Sequence, residues 1–149
     1  MIRITYAHLC DYAHYSADRK PNLLGLFSRI YATAVPAIHP QAFLAFGMQI
    51  PPNYDVKKPI AMRIEGSGTA KEKLFVINAL TTLTKTGTPG DLPPVIHQIL
   101  QLPALTLNQY GVYAVRIFLG ASARASSSVA FELSETPTAQ STGAKKTSA

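Results

Sequence analysis

Asp11 stands between His8 and His14, and His39 follows in the element Pro36-Ala-Ile-His39-Pro40. A carboxylate beside imidazoles is a set that could hold a small ligand or move a proton. The spacing fits no metal site, however. None of the four histidines (His8, His14, His39, His97) forms H-x-x-x-H or H-E-x-x-H, and Cys10 has no second cysteine to join it in a zinc site. The competing reading of Asp11 is a turn carboxylate that accepts backbone N–H bonds from residues 13 and 14.

Other chemistries find less support. No G-x-S-x-G surrounds a serine, and Ser126-Ser127-Ser128 falls in a predicted strand. Glu65-Gly66-Ser67-Gly68-Thr69 lacks both the P-loop spacing and a following helix, so it reads as a turn between strands. The eight carboxylates are scattered over loops and outward strand positions, without the facing pair a glycosidase needs. No catalytic, cofactor or metal residue is therefore assigned, and no cofactor is expected. Tyr12, Tyr15 and Tyr54, read as loop residues, could line a contact surface. Asp11, Tyr12, His14 and His39 are the candidate contact or ligand residues.

The elements that would position these residues are strands. Ile60, Met62 and Ile64 alternate with Ala61, Arg63 and Glu65, placing apolar side chains on one face. Tyr113, Val115, Ile117 and Leu119 behave alike, as do Val129, Phe131 and Leu133; with Gly120 to Arg124 between them, these two segments predict an antiparallel hairpin. Leu44, Phe46, Met48 and Ile50 alternate until Pro51-Pro52-Asn53 ends the strand. Residues 73–80 and 2–10 are apolar on both sides, as in strands with two covered faces. Residues 22–31 and 94–102 fit helical as well as extended spacing; Gly25 and the flanking strands tip the first toward β, and both are read as strands. Loops are expected at 18–22, 36–40 and 84–94, and residues 134–149, with nothing apolar larger than Ala, read as a disordered Ser/Thr-rich tail.

The chain of 149 residues carries 14 basic and 8 acidic side chains, a net charge of +6, with 47% hydrophobic residues. That suits one domain able to bury a core without metal or disulfide. The positive charge is diffuse rather than a stripe, which argues against specific nucleic-acid binding and leaves only weak polyanion affinity. Charged residues are just 15% of the chain, so self-association or a protein partner is expected. Cys10 lies in an apolar run and reads as a buried thiol. No leader or membrane-spanning stretch is apparent, and a cytoplasmic location is expected.

Four stretches, taken together, carry a resemblance: Ile4 to Ala13 with Asp11-x-Ala13, Lys20 to Ile30 with Gly25-x-Phe27-x-x-Ile30, Pro36-x-x-His39-Pro40, and Gly111 to Leu119. In this pattern the chain resembles a bacterial family of small, uncharacterised β-sandwich proteins. The resemblance implies an immunoglobulin-like, two-layer antiparallel β-sandwich, and no activity. The expectation is thus an all-β domain of seven or eight strands over residues 1–133, non-enzymatic, and serving as a protein-binding or assembly module. The contrasting expectation is a small-ligand protein or enzyme working at Asp11, His14 and His39.

Overall fold

The computed structural model describes residues 1–83 and 94–137. The expected tail over 138–149 and all but Pro94 of the 84–94 loop lie outside the described residues. The described chain is all-β and contains no helix, so none is long and apolar enough to cross a membrane.

One sheet has the order β2 (Pro21–Leu26), β1 (Arg3–Tyr15), β5 (Ala42–Gln49), β8 (Val95–Leu102). A second runs β3 (Arg29–Ala32), β11 (Ser127–Glu135), β10 (Gly111–Leu119), β6 (Ile60–Ser67), β7 (Lys73–Thr81). β4 (Ala37–His39) and β9 (Leu105–Leu107) form a small third pair. The period-two segments pair as their patterns dictate. Leu44, Phe46 and Met48 from the first sheet share one fully buried cluster with Ile64, Val115 and Ile117 from the second. Ile60, Met62 and Tyr113 complete the same core.

Among the described residues, eleven strands replace the expected seven or eight. The segment 22–31 is not continuous: β2 stays in the first sheet, and the chain then crosses at Phe27–Ser28 to place β3 in the second. There β3 runs parallel to β11, so the strands are not all antiparallel. The Pro36–Pro40 loop contributes β4, which finds its partner in β9. β11 continues past Leu133 to Glu135, because Ser134 and Glu135 pair with Tyr31 and Ala32. β7 does not have two covered faces. It is an edge strand, and Val76 and Leu80 are 44% and 71% exposed.

β1 also runs five residues further than its apolar stretch suggests. Beyond Cys10 its pairing with β5 stops, and Tyr12 to Tyr15 pair with β2 alone. Ser16 N–H donates to Lys20 O at 2.9 Å, so a three-residue loop, Ala17-Asp18-Arg19, closes this hairpin. Arg19 N–H donates to Ser16 O at 2.9 Å, and Arg19 takes the left-handed φ of 64° that completes such a turn. Asp18 accepts a hydrogen bond from the Ser16 hydroxyl and pairs with Lys20 at 2.9 Å, contacts that hold its carboxyl below the usual range.

Candidate functional site

The structure gathers histidines and tyrosines in two places. In the first, Asp11 and His39 meet although 28 positions separate them in the chain. Asp11 lies in β1 and His39 at the end of β4, with His39 Nε2 3.6 Å from Asp11 Oδ1. The distance is too long for a hydrogen bond and short enough for an ion pair or a single bridging water. His39 Nε2 is buried and has no hydrogen-bond partner among the described residues. The ring sits edge-on to Phe27, centroids 5.3 Å apart, and Gln41 Nε2 donates to the Asp11 carbonyl at 3.3 Å. Opposite, Gly25 has φ +67°, and a Cβ there would fall 2.5 Å from Asp11 Oδ2. The glycine thus supplies both the turn of the backbone and the space for the carboxylate.

His14 does not join this pair. It lies in β1 opposite Asn22, with its ring 5.6 Å from that of Tyr12. Tyr12 packs edge-on against Phe43 at 5.5 Å. Asp11, Tyr12, His14 and Tyr15 are therefore strand residues, and the expected turn at Asp11 is replaced by continued pairing with β2. Tyr54 alone of the three tyrosines stays in a loop, where it packs against the core.

The second gathering was not read from the sequence. The Tyr6 hydroxyl lies 2.7 Å from His97 Nδ1 on β8, and the Tyr15 hydroxyl donates to the His97 carbonyl at 2.8 Å. Tyr6 reaches across β5 because position 47 is glycine: a Cβ there would lie 2.5 Å from the Tyr6 ring. The Tyr6 and His8 rings stack at 5.8 Å. Burial raises the pKa of both phenols, and Tyr15 adds to the rise at Tyr6.

These two hydroxyls also reveal a bend. In a straight strand, nine residues would hold Tyr6 and Tyr15 about 30 Å apart, which two tyrosine side chains and one histidine cannot bridge. β1 must therefore arch between Tyr6 and Tyr15, bringing the end of the β1–β2 hairpin back to His97 and the face that bears it and Tyr6. Cys10 and Ala45 point to that face by register and are fully buried. Burial raises the Cys10 thiol pKa, as expected of an inert core cysteine.

Among the described residues, this face bears no carboxylate and no lysine. By register it carries Tyr6, His8, Cys10, Tyr12, His14, Asn22, Leu24 and Leu26, with Phe43, Ala45, His97, Ile99 and Gln101; Arg3 lies at the far corner. Leu24 and Leu26 are 57% and 58% exposed. Among the described residues no group of three or more His, Cys, Asp and Glu side chains could hold a metal ion.

The sequence of residues 5–131 matches a family of unknown function (DUF6941), and the chain belongs to that family. No curated protein matches it.

Proposed function

We propose, for a member of a family without an assigned activity, that this is a non-catalytic protein-binding module built on an immunoglobulin-like β-sandwich. The sandwich reading is supported by the shared core of the two larger sheets and by Tyr113. The Tyr113 hydroxyl donates to Gln109 O at 2.6 Å and accepts from Gln109 N at 3.2 Å, the kind of tyrosine corner found in such folds.

The observation that carries the binding reading is the Tyr/His/Leu face of the first sheet. Centres of protein interfaces are depleted in charge and enriched in tyrosine, and Leu24 and Leu26 stand more than half exposed on a strand at the sheet edge. The partner is a protein, which includes a second copy of the chain. The test is sedimentation of the full chain over a range of concentrations, together with cross-linking, for the natural sequence and for Leu24→Ser/Leu26→Ser. Association or cross-links that the double variant abolishes while keeping its melting temperature are expected. Identical behaviour of the two proteins would sink the reading.

A second reading rests on the unpartnered His39 Nε2 beside Asp11. A small polar ligand or water that donates to Asp11 and reaches His39 would use both groups. Asp11→Asn and His39→Gln would then change ligand-induced shifts in nuclear magnetic resonance spectra without altering the fold.

A further inference from the structure

The outward face of the second sheet carries a trough whose origin is legible in the register. Ala61 pairs with Leu80, and Gly120 N–H donates to Ala61 O at 2.8 Å, so one rung across three strands reads Gly120, Ala61, Leu80. The next rung reads Phe118, Arg63, Asn78. Two adjacent positions with little or no side chain leave a hollow, walled on one side by Leu80 and closed at one end by Arg63 and Asn78. The hollow is open to solvent and measures about 340 Å³.

The charge at its end is held in place. The Arg63 guanidinium lies 4.2 Å above the Phe118 ring, and Arg63 Nε is 3.0 Å from Glu65 Oε1. That same oxygen is 3.7 Å from Lys73 Nζ, and Arg116 stands opposite Glu65 in the ladder. A single carboxylate thus pairs with two cations, and a third stands beside it in register. Among the described residues no acceptor takes the terminal guanidinium nitrogens of Arg63. Arg63 and Asn78 thus stand at one end of a hollow whose floor is Ala61 and Gly120.

We propose that this trough binds a small aliphatic monocarboxylate. The carboxylate oxygens accept from the planar donor fork of Arg63 and from the Asn78 amide, and the aliphatic chain lies in the Gly120/Ala61 hollow against Leu80. Neither the partner-binding face nor the Asp11–His39 pair enters this site, so the outcome is independent of both.

The test is a titration of the isotopically labelled full chain with hexanoate, followed by amide chemical shifts, with neutral hexanamide as the control. Saturable shifts centred on residues 61–63, 78–80 and 118–120 are expected, with hexanamide at least ten-fold weaker. Arg63→Gln should weaken hexanoate at least ten-fold, and Arg63→Lys should restore part of the loss. Ala61→Leu, which fills the hollow and leaves the cation alone, should also weaken it at least ten-fold. Shifts of equal size with hexanamide, or spread over lysines and arginines generally, or unchanged in both Arg63→Gln and Ala61→Leu, would overturn the proposal.

Discussion

Two glycines show how single residues decide where the histidines and carboxylates sit. Gly47 leaves the gap through which Tyr6 crosses β5, and Gly25 adopts the left-handed conformation over which the Asp11 carboxylate rests. Gly47→Ala places a methyl against the Tyr6 ring, so the ring must move and the contact with His97 is lost. The expected cost is about 1–3 kcal/mol, in the range of overpacked interiors, read by urea unfolding. Tyr6→Phe, which removes only the hydroxyl, should cost about 1 kcal/mol; equal losses for the two variants would show that the ring's position is not what Gly47 protects. Asp11 and His39 were legible as chemistry from their types, and the motifs around Gly25 and His39 were visible as patterns. Their meeting was not, because it depends on where β4 lies relative to β1. Tyr6 and His97 lay further beyond reach: 91 positions separate them, and neither residue stands out locally.

Among the elements, the β1–β2 hairpin departs most from its pattern. Alternation and apolar content identify its first ten residues, but polar residues such as Asp11 and His14 interrupt that signal while backbone pairing with β2 carries the strand on. β7 misleads in the opposite way. Its residues are apolar on both sides, yet Leu80 pairs with Ala61 on the face of the sheet turned away from the core, and which face stays uncovered is not written in any one segment. The segment 22–31 fitted a single strand because the crossing at Phe27–Ser28 leaves its hydrophobicity unchanged. Two measurements bear on the arch. Tyr15→Phe should speed amide exchange in residues 12–24 while β6 and β10 keep their protection, since only the hairpin loses its attachment to β8. The buried phenols supply the second. Their raised pKa values mean that the folded chain holds these protons more tightly than the unfolded one. Their contribution to stability is complete below the ordinary phenol range near pH ~10 and declines as pH rises through it. Urea midpoints should therefore fall more between pH 9 and pH 11 in the natural chain than in the Tyr6→Phe/Tyr15→Phe double variant.

At the scale of the whole molecule, both large sheets depend on one core. Phe46 lies at its centre without solvent exposure, and Tyr113 stacks on Phe131 at 5.3 Å. Phe46→Ala should cost about 3–5 kcal/mol, a large share of the ~5–15 kcal/mol that such domains possess. A loss below 1 kcal/mol in urea unfolding would mean that the two sheets do not share this core. This level was the most legible, because period-two alternation names the buried residues directly: Leu44, Phe46, Met48, Ile60, Met62, Ile64, Val115 and Ile117 are all buried. The parallel pairing of β3 with β11 was not foreseeable, and it has a consequence for biogenesis. Arg29 meets Glu132 across 103 positions, so a nascent chain on the ribosome holds β3 long before its neighbour β11 in the second sheet has been translated. Closure of that sheet must wait until translation has passed Glu135 and β11 has cleared the exit tunnel, and the half-made protein meets its surroundings with an open flank.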